Sequence, residues 1–113
     1  MNQHHRINYI EFPAEDLSAI KDFYTKAFGW IFTDYGPEYT AFTDGSLEGG
    51  FTRGSVATQS GPLIILYSDN LEKTLETVES AGGSITKPIY PFPGGRRFHF
   101  NDPAGNELAV WSV

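Results

Sequence analysis

The chain has 113 residues, 40% of them apolar and 19% charged, which suits one buried core and excludes a disordered polymer. Fourteen acidic residues against eight basic ones argue against a nucleic-acid surface, since a polyanion needs a clustered basic face and Arg96-Arg97 is the one adjacent basic pair. The absence of cysteine excludes disulfides and thiolate metal sites and suits a reducing, cytoplasmic setting, and no aliphatic run exceeds Leu63 to Leu66, far too short for a bilayer.

His4 and His5 precede the first periodic segment and read as a solvated terminus whose two rings point apart if the chain is extended. Ile7 to Phe12, ended by Pro13, then reads as a strand, with Tyr9 and Glu11 on one face and Ile10 and Phe12 on the other. Asp16 is a candidate N-cap for a helix from Leu17 to about Phe28. Its apolar stripe is Leu17, Ile20, Phe23 or Tyr24, and Ala27 or Phe28, and Gly29 closes it. Strands are predicted at Trp30 to Tyr35, Tyr39 to Thr43 and about Gly49 to Arg53, punctuated by Gly36-Pro37 and Asp44-Gly45. Gly54 to Gly61 has no apolar period and reads as a linker.

The pattern then starts again. Leu63 to Tyr67 reads as a strand, and Asp69 or Asn70 caps a helix carrying Leu71, Leu75, Val78 and Ala81, closed by Gly82-Gly83. If Asp69 is the cap, Glu72 completes a capping box. Further strands are predicted at Ser84 to Lys87, Arg97 to Phe100 and Glu107 to Val113. Between the first two, Pro88 to Gly95 is too rich in proline for a central strand and reads as a loop, either a lid or an ordinary exposed segment.

The two halves share one order: strand, helix, three strands. Asp16 to Gly29 and Asn70 to Gly83 are both thirteen residues apart, and Ala27 matches Ala81 at the same offset. Neither half can bury its sheet face alone. The expected fold is therefore α+β: two βαβββ modules, about 7–54 and 61–113, forming one curved mixed sheet around a cavity, with the helices outside.

With these elements in place, the chain resembles the vicinal oxygen chelate superfamily, which holds glyoxalases, bleomycin resistance proteins and extradiol dioxygenases. Phe98-His99-Phe100-Asn101-Asp102-Pro103-Ala104-Gly105-Asn106-Glu107-Leu108 is similar to the family's aromatic strand, DPxGN turn and final strand. Asp16 to Trp30 and Asp69 to Gly83 are similar to its two helices. The turn also has a purely structural reading: Pro103 presets φ, Gly105 supplies a positive φ, and Asp102 or Asn106 bonds the local backbone. The resemblance further implies a small-molecule ligand and a homodimer.

Metal-dependent members carry four His, Gln or Glu ligands, and the resemblance places those positions at Tyr9, Gly50 (or Glu48), Leu63 and Ala109. Glycine, leucine and alanine cannot ligate, so no metal site and no cofactor are expected. A register slip of two brings Glu11 and Glu107 onto the same faces. By alternation and by likeness to fosfomycin-resistance relatives, the expected ligand-binding residues are Tyr9, Glu11, Arg97, His99 and Trp111. Arg97 would hold a carboxylate or phosphate, Trp111 and Tyr9 would stack, and Glu11 or His99 are the candidates for proton transfer. Three bland readings stand beside these: a Glu11–Arg97 ion pair, a structural His99, and Trp111 in a dimer interface. The function expected is binding of a small aromatic or anionic molecule without a catalytic metal. The alternative is a related lyase, isomerase or dioxygenase.

Overall fold

In the computed structural model, which describes residues 4–5, 7–54 and 62–113, each module places one amphipathic helix across one four-stranded sheet. Module one runs β1 (Tyr9–Pro13), α1 (Leu17–Phe28), β2 (Ile31–Asp34), β3 (Tyr39–Thr43) and β4 (Glu48–Thr52). Module two runs β5 (Ile64–Tyr67), α2 (Leu71–Ala81), β6 (Ser84–Phe92), β7 (Gly95–Asn101) and β8 (Glu107–Ser112). Most of the expected linker, residues 55–61, lies outside the described residues.

Local chemistry sets the helix ends. Asp16 accepts from the Ala19 amide at 3.0 Å, and Gly29 closes α1 in the left-handed region at φ 74°. In the second module the cap is Asn70, which accepts from the Lys73 amide. The capping box from Asp69 is not the arrangement found, and Glu72 instead pairs with Arg96 on the surface. His4 and His5 do not point apart: their rings stack 3.8 Å from each other, because His5 turns the backbone at φ 62°.

The sheet orders are β1-β4-β3-β2 and β5-β8-β7-β6, each with one parallel pair at an edge. The α+β two-module architecture is as expected, but the strands form two four-stranded sheets rather than one curved sheet. β1 and β5 are outer strands with no ladder joining them. The modules are held together on the other side, through the helices. Phe23 of α1 meets Phe100 of β7 at 5.9 Å, and Tyr24 of α1 donates to Asp102 at 2.8 Å. Asn106 donates to the carbonyl of Pro13 at 2.9 Å. The Asp102–Asn106 turn is thus a joint between modules as well as a hairpin.

The expected loop at Pro88 to Gly95 is corrected by the structure. β6 continues to Phe92 and pairs with β7 up to Gly95, so only Pro93-Gly94 turns. Pro88 and Pro91 fit because β6 is an edge strand, where one side has no partner, and register shifts between Ile85 and Tyr90 absorb the mismatch.

Two adjacent glycines on β4 differ in what they tolerate. A side chain at Gly49 would overlap the backbone carbonyl of Ile10, whereas one at Gly50 would overlap the hydroxyl end of Tyr39. Tyr39 can swing away; the Ile10 carbonyl cannot move without parting β1 from β4. Gly49→Ala is therefore expected to cost about 2–3 kcal/mol and Gly50→Ala about 1 kcal/mol, the upper and lower parts of the range for overpacked sites. Chemical denaturation checks the order of the two.

Candidate functional site

Strand pairing assembles a polar and aromatic face on the second sheet. The antiparallel β7–β8 register sets Arg97 beside Trp111 and His99 beside Ala109, while the parallel β5–β8 register sets Ile65 beside Ala109 and Tyr67 beside Trp111. These residues share one side of the sheet, and Phe98, Phe100, Leu108 and Val110 point the other way into the core. Tyr90 of β6 pairs with Arg97 and closes the set.

Arg97, Tyr90 and His99, with Glu107 at the start of β8, form one hydrogen-bonded row. The Arg97 Nε–H donates to the Tyr90 hydroxyl oxygen at 2.5 Å, and that hydroxyl lies 2.9 Å from His99 Nε2. His99 Nδ1 lies 3.0 Å from Glu107 Oε2. Since the carboxylate accepts only, the network assigns the imidazole proton to Nδ1, which leaves Nε2 to accept the Tyr90 proton. His99 is only 5% exposed, and both of its ring nitrogens have partners.

Arg97 also lies over two rings, 5.5 Å from the Tyr90 centroid and 5.3 Å from that of Phe92. Trp111 meets Phe92 and Tyr67 edge-on, at 6.1 and 5.1 Å. Ile65, Phe92, Arg97 and Trp111 line an open pocket of about 240 Å³.

Tyr9 and Glu11 belong to the other sheet. The Tyr9 hydroxyl bonds that of Tyr39, and burial, with Tyr9 and Glu11 beside it, pushes the Tyr39 phenol well above its ordinary value. The Glu11–Arg97 ion pair does not form: Arg97 has no ion-pair partner among the described residues. Glu11 instead shares a smaller cavity, about 180 Å³, with Glu107 at the seam between β1 and β5. Of the five expected ligand-binding residues the structure thus gathers Arg97, His99 and Trp111, and leaves Tyr9 and Glu11 across the seam. A larger cavity, about 500 Å³, also opens on that seam, with Ile10, Phe12, Trp30 and Phe42 in its wall and Asp44 and Tyr67 as its polar members. It has no cation in its wall, so for an anionic ligand the Arg97 pocket is the better candidate despite its size.

The residues do not fit the metal that the resemblance implies. With Gly50 at the second position only Tyr9 of the four carries a donor, and its hydroxyl is bonded to Tyr39; the alternative there, Glu48, would add one exposed carboxylate. The space a side chain would need at Gly50 is filled by the Tyr39 and Tyr9 hydroxyls, and Ala109 is fully buried. The displaced carboxylates do not repair the set: among the described residues no group of three His, Cys, Asp or Glu is placed to hold an ion.

Tyr90, Phe92 and Ile65 were missed by reasoning from sequence. Ile65 and Trp111 alternate with core residues, which is a usable signal. The prolines at 88 and 91 hid the strand phase that puts Tyr90 and Phe92 on the same face.

A family model described as Glyoxalase/Bleomycin resistance protein/Dioxygenase superfamily matches residues 6–110. The anthracycline biosynthesis protein DnrV of Streptomyces peucetius is 32% identical over 91% of this chain. The chain spans about 45% of that protein's length. Among solved structures, a glyoxalase-related enzyme from Fulvimarina pelagi superposes with a TM-score of 0.82 at 20% identity, covering 96% of this chain and 88% of that one. The fosfomycin resistance protein FosX of Listeria monocytogenes, an E126Q mutant complexed with Mn(II) and 1S,2S-dihydroxypropylphosphonic acid, gives 0.83 at 17% identity, covering 96% and 90%. At these identities the two structures establish the shared fold.

Proposed function

Because the chain belongs to the glyoxalase/bleomycin resistance protein/dioxygenase superfamily, we propose that it binds a small planar molecule carrying an anionic group, seated on Arg97 and Trp111 and held without a catalytic metal. One observation carries this reading. Arg97 has no carboxylate partner among the described residues, yet Tyr90 fixes its Nε and two aromatic rings lie beneath it. A guanidinium oriented through Nε offers its terminal N–H groups to a carboxylate or phosphate in a forked geometry. Trp111, Phe92 and Ile65 then supply the apolar wall for a ring.

The relatives lean the same way. DnrV is a protein of anthracycline biosynthesis, and the FosX complex holds a phosphonic acid, an anionic ligand, together with Mn(II). The exposed Ile31 and Tyr35, 68% and 66% accessible at the edge of the first sheet, support the homodimer that goes with this proposal. The cysteine-free composition suits a cytoplasmic protein.

Benzoate is the first probe. A ligand present at a hundred times its Kd raises stability by about 2.7 kcal/mol, which reads as a rise in Tm. Arg97→Ala is expected to weaken benzoate binding about 10- to 100-fold, the worth of a lost charge-assisted hydrogen bond. Trp111→Ala should weaken it as well, whereas Arg53→Ala, on an exposed ion pair, should not. A benzoate shift that survives both Arg97→Ala and Trp111→Ala sinks the proposal, as does no shift with any aromatic carboxylate.

A further inference from the structure

The outer strands are β1 and β2 in the first sheet and β5 and β6 in the second. β1 and β5 border the seam, where both line one cavity. β6 carries Pro88 and Pro91, which have no N–H to give, and its register shifts break the flat edge a further strand would need. β2 has neither protection: its four residues pair with β3 without a proline or a register shift. That pairing also fixes which backbone groups are open. Tyr35 N–H donates to Tyr39 O at 3.0 Å, and the Thr40 hydroxyl reaches Thr33 O at 3.4 Å, so residues 31, 33 and 35 face β3. Antiparallel ladders alternate, and Phe32 and Asp34 therefore turn their N–H and C=O groups outward. Phe32 packs on the core side, which leaves Ile31, Thr33 and Tyr35, all exposed, in a line on the opposite face.

Resting on the homodimer of the reading above, we propose that β2 pairs antiparallel with β2 of a second copy of this chain, about a two-fold axis through Thr33. Such an axis could pass through Phe32, Thr33 or Asp34, and chemistry separates the three. An axis at Asp34 sets two carboxylates opposite each other, which is unfavourable. An axis at Phe32 also needs the Trp30 N–H, which already donates to Tyr24 O at 3.3 Å. The axis at Thr33 uses only open groups. Phe32 exchanges N–H···O=C bonds with the partner's Asp34, and by symmetry Asp34 does so with the partner's Phe32. On the exposed face Ile31 meets the partner's Tyr35 on either side of the axis, with threonine against threonine between them; both are favourable cross-strand pairs. Charge fits as well. At a net charge of −6 two copies repel over most of their surface, but Asp34, the one charged side chain of β2, is bridged by Lys21 at 3.0 Å. The joint is isologous and carries the first sheet into that of the second copy. It covers one strand edge and its exposed side chains, less than the roughly 1,200 Å² of a tight interface, so the dissociation constant is on the order of micromolar.

The test uses the absence of cysteine: in Thr33→Cys the only disulfide that mild oxidation can form joins two copies. Residues opposed at a non-hydrogen-bonded position lie about 4.5 Å apart between Cα atoms, within disulfide reach. Ile31→Cys is the control, because its counterpart in the second copy stands roughly 14 Å further along the strand. Thr33→Cys is expected to cross-link at least about tenfold faster than Ile31→Cys. Thr33→Lys sets two ammonium groups opposite each other at an exposed position. It should raise the dissociation constant at least about tenfold, read by sedimentation from about 1 to 300 μM, with Tm unchanged. Should Thr33→Lys lose its fold, the cysteine pair alone decides. Wild type that dimerises, with Thr33→Lys dimerising equally and Thr33→Cys staying uncross-linked, overturns the assignment to β2 and leaves a homodimer through another surface. Equal cross-linking of Ile31→Cys and Thr33→Cys overturns the register. Wild type that stays monomeric over the whole range removes the homodimer and this joint together, while the benzoate shift, read on the monomer, still decides the Arg97 pocket.

Discussion

Asp102→Ala is expected to destabilise the domain by about 3–5 kcal/mol, because several buried donors lose their acceptor at about 1–3 kcal/mol each, partly relieved by relaxation. Asp102 is buried and accepts four hydrogen bonds, from the amides of Ala104 and Asn106, the Asn106 side chain and the Tyr24 hydroxyl, at 2.8–3.1 Å. Alanine leaves these donors without their acceptor in a site closed to water. Because Tyr24 lies on α1 and Asp102 between β7 and β8, the loss also loosens the joint between modules. With total stability of about 5–15 kcal/mol for such domains, chemical denaturation will register a large fraction gone. Asp102→Asn should cost far less, since its carbonyl still accepts from the turn amides.

The same carboxyl sets a pH dependence. Burial raises its pKa above the ordinary aspartate value, and the hydrogen bonds from Asn106, Tyr24 and Ala104 only partly oppose this. In the acid range the folded state therefore holds this proton more tightly than the unfolded chain does. The resulting stability is fully present below the ordinary value and is lost as pH rises through the raised one. The stability of wild type relative to Asp102→Asn is expected to fall across that window on going from acid to neutral pH. A difference that stays flat, or rises with pH, contradicts burial as the dominant influence on this carboxyl.

Phe51→Ala is the second large effect. Phe51 is fully buried on β4, stacked on Phe12 at 5.1 Å and within 5.3–5.5 Å of Tyr24 and Phe42. Truncation removes the hub of module one and leaves a cavity, for a loss of about 3–5 kcal/mol. Urea or guanidinium titration is the check, and a loss below about 1.5 kcal/mol, typical of a tolerated volume-conserving swap, would show the cluster re-forming around the gap.

Much of this molecule is legible in its residues. Asp16 with Gly29 and Asn70 with Gly82 bracket both helices, and alternation at Phe98, His99 and Phe100 separates core from site on β7. The DPxGN turn reads as structural and proves so, with Gly105 at φ 92° and Asp102 bonding the local backbone. Less legible was β6. A proline argues against a strand only where both sides of that strand need partners, and whether they do depends on which strand lies at the edge. Arg97 shows the same limit: alternation put it on the site face, and only the register showed that Tyr90 rather than Glu11 holds it.

By itself, then, the sequence determined the elements, their repetition, the faces of β7 and β8, and the poverty of donors at the family's metal positions. All of these follow from local periodicity, capping chemistry and residue type, which act over a few residues. The tertiary structure alone decided that the sheets stay separate at β1 and β5, that α1 and the Asp102 turn join the modules, and that Arg97, Tyr90, His99 and Glu107 stand in one row. Those outcomes depend on which distant strands pair and in what register, and pairing energies are summed over the whole fold rather than written in any one segment.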